Sequence, residues 1–391
     1  MDKKYDVIIS GAGPSGSLLG FLLSEKNIKT LIIEKENFPR YKTCGGGIQH
    51  RTLNLLPFDI NEVIENTIYG IYFSRKNEDV FLKKFDLPIM YTIERKNFDM
   101  FLSKKAGEKG CSLVFGEKVE GFENNDNHIR IFTNKGKKYI SKILVGADGI
   151  RGTVHRLIVK NNRIKKILGY ETEIQLNNNN NRNEEKYLFR DNNANTFVFN
   201  DSIRLDFNGV EKGYCWVFPK KDHLSCGMGT PFWNAKNMKK YFKMFVSQFL
   251  LNYINSDNQK IYAQCIPIRN PDTPICDYRV LNIGDAACLG DGFTGEGLYN
   301  SFRSSFLACD SISNALRSSV FNFKDYENKI KDDIYREIKI SLFFTKIFFS
   351  SFPFFYALLK KNDNLFVSCC KMLRGEKTYG EIAGKLRLIK F

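Results

Sequence analysis

The sequence lacks the patterns on which several kinds of site depend. Its ten cysteines show no paired C-x-x-C spacing, which argues against a zinc site. The four histidines are scattered, without the neighbours of a catalytic triad or the spacing of metal ligands, so we predict no metal. No signal-peptide pattern precedes the first predicted strand, and unbridged cysteines suit a reducing compartment, so we expect a cytoplasmic protein.

Acidic residues are also in short supply. Lys and Arg number 59 against 43 Asp and Glu, which gives a formal charge of +16 over 391 residues. Such an excess favours an anionic partner, either nucleic acid, a membrane surface or a phosphorylated substrate. No nucleic-acid-binding motif accompanies the charge, so we predict no nucleic-acid partner. A solvated Lys-rich surface is the alternative explanation.

The first forty residues contain a strand–turn–helix–strand pattern. An apolar strand at 5–10 leads into Gly-Ala-Gly-Pro-Ser-Gly at 11–16 and then a helix at 17–26. A second strand at 31–33 ends on Glu34. G-x-G-x-x-G with an acid about twenty residues further on is the fingerprint of dinucleotide binding.

Each residue of this fingerprint has a physical role. Gly11 permits the tight turn, Gly13 leaves room for a pyrophosphate, and Gly16 lets the helix pack closely on the strand. The helix N-terminus offers free N–H groups to the phosphates, and Glu34 can accept hydrogen bonds from a ribose.

A second glycine-rich segment follows the second strand. Cys44 heads three consecutive glycines at 45–47, which favour neither helix nor strand and let the backbone approach a flat ligand. Cys44 is either a small buried filler or a residue beside a redox centre. Arg95, ahead of a predicted helix at 97–109, would reach a phosphate or make a surface ion pair.

Two later strands also end in an acid. The strand at 144–151 carries Gly-Ala-Asp-Gly around Asp148, and the one at 280–287 contains Asp285. A glycine-rich turn at 292–298 then opens another helix. Ligands of open α/β sheets bind at the carboxyl ends of the strands, so one extended ligand would be held from both ends of the chain. Asp285 would meet its sugar or ribityl hydroxyls.

Aromatic residues alternate along one predicted strand, which places Tyr214, Trp216 and Phe218 on one face of a sheet. By spacing alone, such a row is usually core. An asparagine run at 177–181 predicts a surface loop. The tail has a Phe-rich segment at 341–359, broken by a lysine and a proline, which predicts a buried or membrane-touching pair of amphipathic helices rather than a span.

The order and spacing of these motifs resemble the geranylgeranyl reductase family of flavoproteins, within the p-hydroxybenzoate-hydroxylase-like fold. The resemblance covers nearly the whole chain, and it departs from the family at Gly292, where a proline is common. It implies that the first and last glycine turns hold FAD, that the Cys-Gly-Gly loop lies beside the isoalloxazine, and that the Tyr-x-Trp-x-Phe-Pro element lines an isoprenoid pocket. The motifs that carry it begin at Gly11, Glu34, Cys44, Arg95, Gly146, Gly213 and Gly284.

The implied fold is α/β, or α+β overall: a Rossmann-like FAD-binding domain, an inserted antiparallel-sheet substrate domain and a helical C-terminal region. The predicted FAD-binding segments are 1–70, 95–160 and 271–325. The predicted substrate-domain segments are 71–94 and 161–270, and the helical region is 326–391.

The resemblance and the glycine turns together predict the site residues. The predicted FAD-binding residues are Gly11, Gly13, Ser15, Gly16, Glu34, Lys35, Cys44, Gly45, Gly47, Arg95, Val119, Asp148, Gly149, Asp285, Gly295, Gly297 and Leu298. The predicted substrate-binding residues are Tyr214, Trp216, Phe218 and Pro219. Cys44 is the predicted catalytic residue.

The implied activity is FAD-dependent saturation of C=C bonds in a polyprenyl lipid or diphosphate. No second Rossmann fingerprint serves a nicotinamide, so electrons would come from transient NAD(P)H contact or from a small redox protein such as ferredoxin. The positive charge would suit a pyrophosphate or a phospholipid head group, and we expect peripheral attachment to the inner face of the cell membrane.

Two other functions stay open. A flavin monooxygenase or halogenase on the same fold would consume O₂. Family halogenases carry W-x-W-x-I-P, which the element at 214–219 matches in placement but not in residues. A flavin-bearing membrane adaptor without turnover is the second alternative.

Overall fold

A computed structural model gives the structure of the protein. The asparagine run predicted as a loop at 177–181 lies outside the part that it describes, as do the last residues of the basic end of the chain. The described residues are 3–160, 164–175, 188–190, 196–231, 235–250 and 260–385.

The chain divides into two compact units, each assembled from three stretches. The first unit comprises Met1–Tyr41, Lys96–Lys165 and Pro267–Lys339, and the second comprises Lys42–Arg95, Lys166–Ile266 and Ile340–Phe391. The predicted first boundary, after residue 70, therefore differs from the observed one after Tyr41. Strands at 47–49 and 64–68 pair with a strand at 90–93, so they belong to the second unit.

The first unit contains an eight-stranded sheet in the described part of the chain, with central order β19-β20-β11-β1-β2-β8 and a β9–β10 hairpin on β11. Strands and helices are numbered in chain order. The strands of this unit are β1 (Lys4–Ser10), β2 (Thr30–Ile33), β8 (Ser112–Val114), β9 (Val119–Asn124), β10 (Ile129–Thr133), β11 (Lys138–Gly146), β19 (Cys276–Asp277) and β20 (Val280–Asn282). Its helices are α1 (Pro14–Glu25), α3 (Arg95–Glu108, whose first residue falls in the second unit), α4 (Thr153–Val159), α6 (Leu298–Ser318) and α7 (Lys324–Lys329), with a π-helix at Ile330–Tyr335.

The four central strands of this sheet are parallel and end level with one another. Ser10 pairs with Ile33 on one side and with Gly146 on the other, and Gly146 pairs with Asn282. The loops after β1, β2, β11 and β20 therefore leave the same edge of the sheet. The predicted strand at 280–287 is shorter than expected: β20 stops at Asn282, and Asp285 lies in a 3₁₀ helix at Gly284–Ala287.

The second unit contains a seven-stranded, mostly antiparallel sheet among the described residues, of order β18-β12-β17-β16-β15-β5-β6, and a small sheet β3-β7-β4. Its strands are β3 (Gly47–Gln49), β4 (Ile64–Ile68), β5 (Gly70–Arg75), β6 (Glu78–Lys84), β7 (Met90–Ile93), β12 (Lys165–Gln175, whose first residue falls in the first unit), β13 (Leu188–Arg190), β14 (Thr196–Val198), β15 (Ser202–Phe207), β16 (Tyr214–Pro219), β17 (His223–Pro231) and β18 (Tyr262–Ile268, whose last two residues fall in the first unit). Its helices are α2 (His50–Leu53), α5 (Met238–Leu250), α8 (Arg336–Ser350, which begins in the first unit and enters the second at Ile340), α9 (Phe352–Lys361), α10 (Asp363–Leu373) and α11 (Tyr379–Lys385), with a 3₁₀ turn at Asn61–Val63. The predicted α/β class with a Rossmann-like part, further sheets and a helical C-terminal region is confirmed.

The two faces of the large sheet of the second unit differ in burial. Along β16, Cys215 and Val217 are fully buried and pack against Phe242 of α5. The alternate residues, including Trp216, are only half-buried. The aromatic row therefore does not lie in this core, as spacing alone had suggested, but on the opposite face of the sheet.

The C-terminal helices pack on the same unit. Phe352 and Tyr356 of α9 and Phe366 of α10 are buried against Phe73 and Ile203. Within the described ranges no single helix has the length and apolar composition of a membrane span. One pair, Lys324–Ser350 with Phe352–Lys361, meets those criteria jointly, with a bend of 95°.

Candidate functional site

The β1–α1 turn has glycines of two kinds. A Cβ atom added at Gly11 would lie 2.5 Å from the carbonyl oxygen of Ala147, and one added at Gly16 would lie 2.0 Å from that of Gly11. Gly11 also has φ +107°, so packing and backbone conformation both require glycine there. A Cβ at Gly13 would meet nothing within 4 Å. The turn thus needs Gly11 and Gly16 in order to fold, whereas Gly13 faces open space that a ligand can occupy.

Helix α1 begins at this open position. Gly13 is its N-cap, no side chain caps the helix, and Pro14 occupies the first turn. Backbone amides at such an end carry unsatisfied N–H groups and a partial positive charge, which suits a phosphate. Ser15 lies in this first turn; its side chain is buried, and its carbonyl oxygen accepts a 2.9 Å bond from Ser305 Oγ.

Glu34, at the end of β2, ties the turn to the neighbouring strand. Its Oε2 accepts from the N–H of Ala12 at 2.8 Å, and its Oε1 accepts from the N–H of Glu36 at 3.0 Å. The residue is 5% exposed. Each oxygen keeps a second lone pair for a ribose hydroxyl. Lys35, also predicted as a contact, is exposed and lies 3.5 Å from Glu36 in a surface ion pair.

Replacing Glu34 with alanine is expected to weaken FAD binding by about 1–3 kcal/mol, because charge-assisted hydrogen bonds are lost. The structure adds that the unfolding midpoint of the FAD-free protein should fall too, since the N–H of Ala12 loses its buried acceptor. Glu34→Gln keeps one acceptor oxygen, so its FAD affinity and its unfolding midpoint should both fall less than those of Glu34→Ala. Calorimetry of FAD binding and thermal unfolding of the apoprotein give the two measurements. Wild-type values for both in Glu34→Ala would contradict this role.

Asp148 follows β11 and is held inside the unit. Its Oδ2 accepts from the N–H of Val154 at 2.9 Å and from Ser10 Oγ at 3.4 Å, which connects the start of α4 to the end of β1. Burial raises the pKa of this carboxyl to about 6, against the opposing effect of those hydrogen bonds. Its Oδ1 is buried and finds no hydrogen-bond partner among the described residues. Gly149 has φ +70° and open space at its Cβ position.

Asp285 and the α6 N-terminus form the other end of the cradle. Asp285 is half-buried, and its carboxylate makes no hydrogen bond with any residue that the structure describes. A Cβ added at Gly297 would lie 3.5 Å from Asp285 Oδ1. Gly297 is the N-cap of α6, which no side chain caps. The carboxylate of Asp285 can accept hydrogen bonds from hydroxyls of a ligand, and the free N–H groups at the start of α6 can donate to anionic oxygens of the same ligand.

The loop before α6 is shaped by Asp291, which the sequence reasoning missed. Its Oδ1 accepts from the N–H groups of Phe293 and Thr294 and from Thr294 Oγ1, at 2.7–2.9 Å. Gly295 then adopts φ +71°, and Leu298 begins the helix with its side chain buried. The Asp-x-x-Thr spacing is a usable signal, because aspartate commonly bonds backbone amides two and three residues on.

The strand register brings the predicted acids of the first unit to one sheet edge. Glu34, Asp148 and Asp285 each follow the end of a parallel strand whose last residues are paired with those of its neighbour. Val119 is different: its side chain is buried in the core, so only its backbone can contact a ligand. Arg95 is the first residue of α3 and belongs to the second unit.

In the second unit the predicted aromatic row is continuous. The ring centroids of Tyr214 and Trp216 are 6.1 Å apart, and those of Trp216 and Phe218 are 6.0 Å apart. Tyr214 also lies 5.8 Å from Phe207. Pro219 ends the strand, with a buried side chain and a carbonyl oxygen that accepts from Thr92 Oγ1 at 2.7 Å. The first three residues thus offer an apolar surface, whereas Pro219 contributes to the packing beneath it.

The glycine loop lies directly on this row. A Cβ added at Gly45 would come within 2.5 Å of Trp216 Nε1, and one at Gly47 within 2.7 Å of the Phe218 ring. On the sheet, Gly227 pairs with Trp216, and a Cβ there would lie 2.0 Å from the indole. Close contact with the aromatic rings therefore requires glycine at Gly45 and Gly47, and the predicted approach of this loop to a flat ligand stays a prediction.

Two buried charges beside this loop were not predicted. Lys220 follows β16 and is 2% exposed; its Nζ donates to the carbonyl oxygens of Gly45 and Ile93, both at 2.8 Å. Glu171 of β12 is 3% exposed, and its Oε2 accepts from the N–H of Cys44 at 2.6 Å. Burial lowers the pKa of Lys220 to about 8 and raises that of Glu171, while their opposite charges limit both shifts.

One group of metal-type ligands occurs among the described residues, although the sequence predicts no metal. Ligand atoms of Glu94, Asp222 and His223 lie within 4.8 Å of one another. His223 is buried, with Nδ1 2.7 Å from Asp222 Oδ1 and Nε2 3.7 Å from Glu94 Oε1. At these distances Nδ1 makes a hydrogen bond with Asp222, whereas Glu94 is too far from Nε2 to make one. None of the ten cysteines, all of which the structure describes, forms a disulfide.

Known proteins are similar to this chain in sequence and in fold. Residues 4–163 match the FAD binding domain family. An uncharacterised protein of Methanosarcina barkeri is 31% identical over 362 residues, which cover 91% of this chain and 87% of that protein. The digeranylgeranylglycerophospholipid reductase of Methanococcus vannielii is 26% identical over 93% of this chain and 89% of its own. The chain belongs to the geranylgeranyl reductase family of flavoproteins. It is therefore an FAD-dependent oxidoreductase of the geranylgeranyl reductase type.

Solved structures agree on the fold. A geranylgeranyl bacteriochlorophyll reductase-like protein from Thermoplasma acidophilum superposes with a TM-score of 0.73 at 22% identity and covers 88% of each chain. A flavin-dependent brominase superposes with a TM-score of 0.71 at 20% identity, and the match covers 95% of this chain and 94% of the brominase. Geranylgeranyl reductases and halogenases thus share this fold, which by itself does not separate their chemistries.

The first unit fits FAD, the cofactor of the geranylgeranyl reductase family. The open face at Gly13 and the uncapped start of α1 suit the pyrophosphate, and Glu34 suits the adenosine ribose. The unpartnered carboxylate of Asp285 and the uncapped start of α6 offer the complementary acceptor and donors. These are features that a bound dinucleotide would satisfy and that the protein alone leaves open.

Proposed function

We propose that this protein reduces C=C bonds in a polyprenyl lipid of the geranylgeranyl type, as the names of its digeranylgeranylglycerophospholipid reductase relatives indicate for those proteins. The observation that carries the proposal is the half-buried aromatic row at Tyr214, Trp216 and Phe218, with the Cys44 loop packed on it. An apolar ribbon of this kind suits a long isoprenoid chain, which offers no hydrogen-bonding groups along its length. FAD, when bound, supplies the hydride.

The protein's own residues contribute binding and proton supply. Gly13, the α1 amides, Glu34 and Asp285 hold the cofactor, and the aromatic row holds the apolar chain and excludes water. Cys44 Sγ is the proton donor for the carbon that becomes carbanion-like. The +16 charge favours a phosphorylated head group. Electrons come from NAD(P)H or from a small redox protein such as ferredoxin.

The decisive experiment incubates the photoreduced holoprotein with geranylgeranyl phospholipids under argon and follows flavin reoxidation together with lipid mass. The proposal expects each saturated bond to add the mass of two hydrogen atoms without O₂. NADH, NADPH and reduced ferredoxin are then compared as donors, each with an FAD-free control.

The alternative is a monooxygenase or halogenase, with which the shared fold of the brominase is compatible. In that case flavin reoxidation would require O₂ and the lipid mass would not change. If neither prenyl lipids nor aromatic substrates reoxidise the reduced flavin, the result would instead favour a flavin-bearing membrane adaptor.

We also propose peripheral attachment to an anionic membrane, through the Phe-rich segment 341–359. Phe354 is 64% exposed, and Lys346 is exposed in the same segment. Binding to anionic vesicles should weaken as salt rises, because screening shortens the reach of the charges to about 10 Å at 0.1 M.

Phe354→Ala should cost about 1.5–3 kcal/mol of vesicle affinity, the value of burying a large apolar side chain. Val320→Ala is the matched control, because Val320 is 60% exposed but lies outside the segment. Co-sedimentation at low and high salt measures both. Equal recovery of the wild type in the supernatant with and without anionic vesicles at low salt would exclude the attachment.

A further inference from the structure

The loop that carries Cys44 has little structure of its own. Residues 41–46 adopt no helix or strand, and Gly46 has φ +67°. A segment with three consecutive glycines loses much backbone entropy when it is fixed in one conformation. Its observed conformation therefore depends on ties from neighbouring elements.

Two buried charged side chains supply ties of this kind. Lys220 Nζ donates to Gly45 O and Ile93 O at 2.8 Å and reaches Gly46 O at 3.4 Å. One ammonium thus joins the carbonyl side of the loop to the end of β7. Ile93 N–H adds a 2.8 Å bond to Gly46 O.

The carboxylate of Glu171 holds the loop from the amide side. Its Oε2 accepts from the N–H of Cys44 at 2.6 Å, while its Oε1 accepts from Ser225 Oγ at 2.9 Å. Ser225 stands on the adjacent strand β17, so the carboxylate is fixed in position by the sheet. The two charged groups therefore bracket Cys44: one bonds its own N–H and the other bonds the carbonyl oxygens of the two residues after it.

Burying a full charge is costly, and apolar replacement of a buried ion pair is often neutral or stabilising. Stability alone therefore does not explain why both of these buried charged groups bond the backbone of a glycine loop. We propose that Lys220 and Glu171 are positioning residues, which fix the backbone on both sides of Cys44 and thereby aim its Sγ. The inference rests on the proposed function in that Cys44 is the proton donor being aimed.

The test compares Lys220→Met, which keeps the length of the side chain and removes its donors, with Lys221→Met at the exposed neighbouring position. Two measurements report the conformation of the loop without any substrate. The first is hydrogen exchange of peptides covering 42–48. The second is the alkylation rate of Cys44, obtained by subtracting the signal of Cys44→Ser from that of the wild type. Lys220→Met should speed exchange there at least about tenfold, because local opening no longer breaks these bonds. Its kcat should fall at least about tenfold with FAD content unchanged, since small misplacements of a reacting group are costly. Lys221→Met should match the wild type in all four readouts.

The double variant Lys220→Met with Glu171→Gln separates positioning from stability. It removes both charges, so neither is left buried without the other, and its unfolding midpoint should recover toward the wild-type value. The double variant therefore tests the loop even if Lys220→Met alone does not fold. Glutamine still offers an oxygen to the N–H of Cys44. The proposal expects fast loop exchange and low kcat to persist in this variant.

Recovery of both the midpoint and kcat in the double variant would overturn the proposal, and so would wild-type exchange at 42–48 in either variant. Failure of prenyl lipids to reoxidise the wild-type flavin would refute the proposed function instead, because the exchange and alkylation readouts do not depend on it.

Discussion

Replacing Cys44 with serine is expected to leave the fold and the bound FAD unchanged while C=C reduction slows at least about tenfold, the low end of the range for a lost general acid or base. Serine differs little from cysteine in volume. The 2.6 Å bond to Glu171 uses the backbone N–H of Cys44, so the loop keeps this tie in the variant. The expected loss therefore reflects the proton and not the packing.

Single-turnover reoxidation of the reduced flavin by a prenyl lipid measures this step directly. Cys265→Ser is the matched control, because Cys265 is also half-exposed and lies in the same unit, on β18. It should reoxidise at the wild-type rate. The same rate in Cys44→Ser would show that the thiol is structural, and that water or another side chain supplies the proton.

Gly13→Ala is expected to lower FAD affinity by about 1–3 kcal/mol, the usual cost of an extra methyl group in a filled site. In the FAD-free protein that methyl group meets nothing within 4 Å, so the apoprotein should fold normally. The change thus acts only on what occupies the space in front of α1. Fluorescence titration of the apoprotein with FAD measures the affinity, and thermal unfolding of the apoprotein measures stability.

Gly121→Ala is the control for Gly13→Ala, because a Cβ there also meets nothing within 4 Å and Gly121 lies in the same unit, on β9. It should bind FAD as the wild type does. If Gly13→Ala also binds FAD normally, the pyrophosphate does not approach the α1 N-terminus, and the fingerprint at 11–16 serves packing alone.

The elements that could be predicted from sequence are those whose signal is local. The turn at 11–16 is bounded by its own glycines, and the alternation along β16 places Trp216 on one face whatever the rest of the chain does. The strand predicted at 280–287 shows the limit: apolar composition continued, but Gly284 takes φ +56° and the chain turns into a 3₁₀ helix after Asn282.

The buried pair beside Cys44 could not be predicted, for a physical reason. Glu171 and Lys220 are 49 positions apart in sequence, and each reads locally as an ordinary surface charge on a strand or at its end. Both reach the Cys44 loop because β12 and β16 each pair with β17, so that Glu171 and Trp216 lie opposite Gly227 from either side. Burial of these charges follows from sheet pairing and from the loop above them, neither of which a single sequence specifies.

The contacts of Trp216 also limit how the aromatic row can be altered. Its indole touches the space that a side chain at Gly45 would fill and the space that one at Gly227 would fill. A bulkier residue at either position displaces the ring, whereas removing the ring frees both positions at once. Attempts to reshape this surface should therefore vary Trp216, Gly45 and Gly227 as a set, since a single exchange at either glycine carries the full steric penalty without opening any new room.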